Sequence, residues 1–151
     1  ALWQDIGLAQ VDAEPQMLLQ GHIFCRYSES LYLIAKSEIG MVAEKEVWQG
    51  QDKLTFFDGQ LILKIEVKKE FLNQQHLVEI CFRKDFNSSL KCQPIGRDKS
   101  RSIKKLLHEY HVPPWERDKI AFVFINGVLH EAVGVWRCET EFTELFRTSL
   151  I

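Results

Sequence analysis

Residues 120–136 read IAFVFINGVLHEAVGVW, and this stretch decides the fold class. Two apolar, β-branched and aromatic runs, Ile120–Ile125 and Val128–Trp136, flank Asn126-Gly127. That pair tolerates the positive φ that a two-residue hairpin turn requires. The first run is apolar at nearly every position, which predicts a strand buried on both faces. Gly134 inside the second run marks a bulge or a close approach of backbone.

The same signals recur upstream. Leu54–Phe57 and Leu61–Val67 flank Asp58-Gly59, which predicts a second two-residue hairpin. His22–Arg26 and Leu31–Ile34 flank Ser28-Glu29-Ser30, a third hairpin. His76–Phe82 and Lys91–Ile95 read as further strands, with Lys36–Glu46 a polar connection and Lys68-Lys69-Glu70 a lead-out. Six to eight strands with one inserted helix predict a β-rich α+β fold, layered so that the doubly apolar strand is covered on its second face.

The helix lies in 95-IGRDKSRSIKKLLHEYHVPPWERDK-119. Ile103, Leu106, Leu107 and Tyr110 recur at i, i+3, i+4 and i+7, while Arg101, Lys104, Lys105 and His108 keep the same spacing on the opposite side. Asp98 or Ser100 is the expected N-cap, and Pro113-Pro114 stops continuation past Val112. Between Arg83 and Lys119 there are ten Lys and Arg against five Asp and Glu. The window therefore carries +5 and the rest of the chain −7 of a total of −2. Concentrated charge of one sign steers a polyanion, although a solvated helix face is the ordinary explanation for such a row.

The 151 residues suit one domain, or one domain with a remnant of a neighbour. Residues 1–11 carry an apolar pattern like the last turns of a helix, broken at Asp12-Ala13-Glu14-Pro15. A start at Ala1 inside that pattern favours a piece of a longer chain. No apolar run is long enough for a bilayer and no signal peptide is visible. Four cysteines without close pairing (Cys25, Cys81, Cys92, Cys138) fit free buried thiols in a reducing cytoplasm better than disulfides or zinc.

Catalytic signatures are missing. The chain has no G-x-x-x-x-G-K-S/T, no G-x-G-x-x-G and no G-x-S-x-G. His108 and His111, and His130 near Glu131 and Cys138, match no metal-ligand template, and no metal is expected. Glu139 and Glu141 fit a solvated strand end. No catalytic residue is assigned.

Several strings occur in a specific order: Gly96-Arg97, Ile103-Lys104-Lys105-Leu106, Val112-Pro113-Pro114-Trp115, Arg117-Asp118, the Phe122–Phe124 strand, Gly127 and Ala132–Trp136. In this order and spacing they resemble the C-terminal domain of the bacterial tRNA(Ile)-lysidine synthetase (TilS, MesJ) family. Leu8-Ala9 to Pro15 and the Arg26-Tyr27…Leu31-Tyr32 hairpin are similar to the junction after that family's helical recognition domain. The resemblance implies residues 1–14 as the end of that helical domain and 15–151 as a layered terminal domain, similar to one in the beta subunit of phenylalanyl-tRNA synthetase. It implies a parent ligase that uses ATP with Mg to attach lysine to the wobble cytidine of an isoleucine tRNA. The ATP site would lie in an N-terminal PP-loop domain, with no cofactor in this region. The implied partners are tRNA, chiefly its acceptor stem, and the enzyme's own catalytic domain, in the cytoplasm. Where relatives often carry glycines after Gly-Arg, this chain has Lys99-Ser100, so long side chains would replace a close backbone approach to phosphate. The residues expected to touch tRNA are Arg97, Lys99, Arg101, Lys104, Lys105 and Arg117. Arg117 can instead pair internally and hold the loop after Pro114, and Trp115 is read as a core anchor rather than a base-stacking platform. The alternative is a structural or protein-interaction domain whose basic helix is solvated or docked on an acidic surface.

Overall fold

The computed structural model describes residues 16–19, 22–27, 30–35 and 42–151. The helix end expected over residues 1–14, and the domain boundary placed there, lie outside the described residues. The architecture is β-rich α+β, as the sequence predicts. Thirteen strands are described rather than six to eight, because several are only two residues long.

The central sheet has five strands in the order β12-β11-β10-β7-β4: Trp136–Arg137, Val128–Ala132, Phe122–Ile125, Val78–Cys81 and Glu46–Val47. The expected hairpin is present, with Ile125 opposite Val128 and both turn residues at positive φ, Asn126 at 52° and Gly127 at 83°. Asn126 also braces the turn against the neighbouring strand. Its amide donates to the Leu77 carbonyl at 2.7 Å, and its side-chain oxygen accepts from the Leu77 amide at 2.9 Å.

All four residues of β10 are buried, and they divide by parity. Val123 and Ile125 join Val78, Ile80 and Phe82 in one core; Phe122 and Phe124 join Cys81, Leu129 and Ala132 in another. The first core is closed by a three-stranded sheet of β13 (Phe146–Leu150), β6 (Leu61–Val67) and β5 (Lys53–Phe56), together with Phe71 of the short helix α1 (Lys69–Leu72). The second is closed by Ile103, Leu106 and Leu107 of α2 (Ile103–Glu109). The result is three layers, sheet on sheet on helix, with β10 in the middle. Burying a doubly apolar strand between two layers is the main hydrophobic gain of this arrangement.

Three expectations are corrected. Asp58-Gly59 is not a two-residue link: β5 and β6 pair from Phe56 to Leu61, so the turn holds four residues, and Phe57 joins Asp58 and Gly59 at positive φ. Lys68-Lys69-Glu70 leads into α1 rather than away, and 3-10 turns add Arg83–Asp85 and Pro114–Lys119. Val128–Trp136 is not one strand, because Val133–Val135 form a turn between β11 and β12. Gly134 there is a close approach: a Cβ would lie 2.8 Å from Leu150 Cδ1. The bulge sits earlier, where Val123 faces Glu131 but Phe124 faces Leu129, leaving His130 as the extra residue. A bulge breaks strand alternation, and His130 and Glu131 are consequently both buried although consecutive.

A third antiparallel sheet joins β1 (Gln16–Leu19), β2 (His22–Tyr27) and β3 (Ser30–Ala35). It meets the rest through aromatic edges: Trp115 lies 6.3 Å from Tyr27 and 5.2 Å from Tyr32, centroid to centroid. Among the described residues no helix is long and apolar enough to cross a membrane.

Candidate nucleic-acid interface

The loop before α2 is fixed at both ends. Strand β8 (Lys91–Cys92) pairs with β9 (Arg101–Ser102), and Pro94 bridges to Cys138. Between them the Arg97 amide donates to the Pro94 carbonyl at 3.1 Å, across a turn whose third residue is Gly96 at φ 87°. Gln93 Nε2 donates to the Arg97 carbonyl at 2.7 Å. The cap lies two residues beyond the last position expected for it, Ser100. Ser102 is the N-cap, and its hydroxyl accepts from the Lys105 amide at 3.2 Å. The Ile103 and Lys104 amides donate to the Leu90 and Ser88 carbonyls at 2.8 and 3.1 Å. The first amides of α2 are therefore occupied, and an anion on this face must be held by side chains.

The C-terminus of α2 is a Schellman cap. The Val112 amide reaches the Leu107 carbonyl at 2.9 Å, and the His111 amide reaches His108 at 3.0 Å. His111 occupies the left-handed position at φ 57°, where glycine is the usual residue. The chain then enters Pro114–Lys119 and seats Trp115, 9% exposed, as the expected anchor.

The six candidate cations fall into two groups and one isolated residue. Arg97 and Arg101 converge on Glu109, at 2.5 and 3.7 Å, and the Arg97 guanidinium lies 4.9 Å from the Tyr110 ring centroid. The hydrogen bond from Arg97 holds the Glu109 carboxyl below the usual carboxylate range. Lys104 and Lys105 are exposed on α2 and make no ion pair among the described residues. They line a groove together with Arg117. Lys99 lies exposed in the preceding loop. Arg101 belongs to β9 rather than the helix, so the expected row of cations is part strand and part helix.

Arg117 turns inward, as one of its two readings has it. Its Nε donates to the Val112 carbonyl at 3.0 Å and fastens the segment around the two prolines. It does not pair with Asp118, which accepts from Arg83 Nε at 2.9 Å. Glu109 and Tyr27 are the residues of this face to which the sequence assigned no part in it. Glu109 meets Arg97 across twelve positions, and Tyr27 reaches the groove from a separate sheet. No local periodicity signals either contact.

The remaining titratable cluster is structural. His130 Nε2 must donate to the Phe146 carbonyl, at 2.7 Å, so Nδ1 accepts from the Thr140 hydroxyl at 3.1 Å. Burial pushes its pKa below the ordinary value, partly offset by that carbonyl. Glu131 receives Arg137 Nε at 3.2 Å and the Thr148 hydroxyl, while burial raises its carboxyl. Cys81, Cys92 and Cys138 are free and buried, and burial lifts the Cys81 thiol to about 11. Among the described residues no three His, Cys, Asp or Glu side chains gather as a metal site would require. Glu139 and Glu141 are exposed.

Residues 78–148, which span four of the five strands of the central sheet, α2 and its flanks, match the family model described as the TilS substrate C-terminal domain. The chain is 32% identical over 147 residues to a tRNA(Ile)-lysidine synthase of Photobacterium profundum, covering 95% of this chain and 33% of the relative. It is 31% identical over 144 residues to the tRNA(Ile)-lysidine synthase of Serratia proteamaculans, covering 91% and 31%. A 48-residue segment is 52% identical to the Shewanella woodyi protein of the same name, covering 32% and 10%. The chain thus spans about a third of the length of the curated relatives it matches.

Proposed function

Since residues 78–148 of this chain belong to the TilS substrate C-terminal domain family, we propose that it is the tRNA-recognition region of a tRNA(Ile)-lysidine synthase. The parent activity would be ATP-dependent attachment of lysine to the wobble cytidine of an isoleucine tRNA, in the cytoplasm. ATP and Mg would be held by a catalytic domain with which this region cooperates. The observation that carries the reading is the placement of Lys104 and Lys105. Both are exposed and without an acidic partner among the described residues, on a helix whose opposite face is fully buried.

A-form RNA is recognised mainly through its shape, its 2′-hydroxyls and its phosphates. Amines projecting from a rigid base suit the phosphates of a stem, for which the acceptor stem is the proposed target, and such contacts position more than they specify. Lys99, Arg97 and Arg101 extend the face along the loop before the helix. Arg117 supports the groove wall. The test is tRNA binding by the K104A/K105A variant across a salt series. We expect weaker binding and a salt slope shallower by about one unit per lost phosphate contact. Unchanged affinity and slope would overturn the role of this face.

The arginines already donate to a carboxylate, Glu109, and this favours a second reading in which the face docks on an acidic protein surface. That reading requires no retention of tRNA at moderate salt.

A further inference from the structure

We propose that Tyr110 is a positioning residue for RNA binding, whose ring keeps the Arg97 guanidinium aimed when a phosphate takes the place of Glu109. The inference rests on the tRNA-recognition reading and adds to it how one cation of the face is held.

Arg97 is fixed at three places. Its amide donates to the Pro94 carbonyl at 3.1 Å, and its carbonyl accepts from Gln93 Nε2 at 2.7 Å. Its side chain meets the Glu109 carboxylate at 2.5 Å. The guanidinium also lies over the Tyr110 ring, 4.9 Å from the centroid. Among the described residues no other of the six candidate cations stands over an aromatic ring.

The two side-chain contacts draw on different parts of the guanidinium. A carboxylate takes N–H donors along its edge, and a phosphate needs the same donors. An aromatic ring attracts the cation through its π-face and consumes no N–H. Glu109 and a phosphate therefore compete for Arg97, whereas Tyr110 and a phosphate do not. Once the carboxylate is displaced, the ring is the side-chain contact that still restrains a long, flexible stem.

The ring is itself anchored. Tyr110 is the C-cap of α2, and its amide donates to the Leu106 carbonyl at 2.9 Å. It stacks on Trp136 of β12, with centroids 5.5 Å apart and planes inclined by 27°. Trp136 is 5% exposed and belongs to the second core. Contacts thus run from the central sheet through Trp136 and Tyr110 to a partly exposed cation. An arginine restrained in this way loses less freedom on binding than one on a free stem.

The test is a double-mutant cycle on the whole chain, with an isoleucine tRNA as the probe. Binding is followed by anisotropy across a salt series, and folding by thermal denaturation. Arg97→Ala should weaken tRNA and lower the salt slope by about one unit. Tyr110→Leu keeps apolar bulk but removes the ring, and should weaken tRNA roughly fivefold. Tyr110→Phe keeps the ring and should bind within about twofold of the native chain. In the Arg97→Ala background, Tyr110→Leu should have no further effect on tRNA, whatever it does to the melting temperature. Weakening of the same size in both backgrounds would show that the ring acts through the fold or on the RNA itself, and would overturn the proposal. So would full affinity in Tyr110→Leu, or in Arg97→Ala, where the ring would have no contact to serve. The tRNA reading survives either result if K104A/K105A weakens tRNA. If the native chain itself fails to bind tRNA, that reading falls and the positioning role falls with it.

Discussion

Arg97 and Glu109 face each other at 2.5 Å across the start and end of the basic segment. Glu109 also draws Arg101, at 3.7 Å, and so stands where a phosphate would stand. Both arginines must leave this carboxylate, or share it, to engage RNA. Glu109→Gln removes the competing charge and keeps the shape. We expect tRNA affinity to rise severalfold and the salt slope to steepen by as much as two units, one per released arginine. A weaker complex would show instead that Glu109 pre-orients the arginines.

His111 carries a left-handed backbone without the glycine that suits it. His111→Gly should stabilise the fold by about 0.5–1 kcal/mol in urea or guanidinium unfolding, and His111→Val should cost at least as much. Equal stability of the three proteins would mean that the histidine ring recovers the strain through a contact of its own.

Trp115 joins the hairpin of Tyr27 and Tyr32 to the body of the domain. Trp115→Ala should cost about 3–5 kcal/mol by loss of buried aromatic contact. Hydrogen exchange should accelerate first in β2 and β3, ahead of the central sheet. Uniform loss of protection would show that the hairpin and the three-layer body unfold as one unit.

His130 is neutral in the fold because burial lowers its pKa from the ordinary 6.5. Below 6.5 the unfolded chain binds a proton that the folded chain resists, so its contribution is complete above that pH and is lost as pH falls toward the depressed value. Glu131 acts in the opposite sense, since its raised pKa makes protonation favour the fold. Unfolding midpoints measured from pH 7.5 to pH 5.5 should fall for the native protein. They should fall less for His130→Asn, which retains a donor but does not titrate. Parallel curves would assign the acid sensitivity to other groups.

Signals that repeat along a few residues were legible in the sequence. The Asn126-Gly127 turn, the doubly buried β10, and the face of Ile103, Leu106 and Leu107 each follow from local chemistry and period. The N-cap was harder to place, because Asp98, Ser100 and Ser102 can all serve. Pairing of β8 with β9 selects Ser102 by bringing strand residues directly up to the helix. The cations were visible, but their division was not. Whether an arginine is engaged depends on Glu109, which approaches through the fold of an entire loop. The bulge at His130 was hidden for a similar reason: the extra residue has no special backbone preference and is defined only by its partner strand.

The occupied amides at the start of α2 have one more consequence. Because Ile103 and Lys104 spend their N–H groups on Leu90 and Ser88, no fixed cradle of backbone dipoles remains there to trap a phosphate. Whatever this face holds is held by amines and guanidinium groups at the ends of mobile stems. Such a grip can be loosened by salt, or silenced by neutralising two lysines, while the three layers beneath it remain folded.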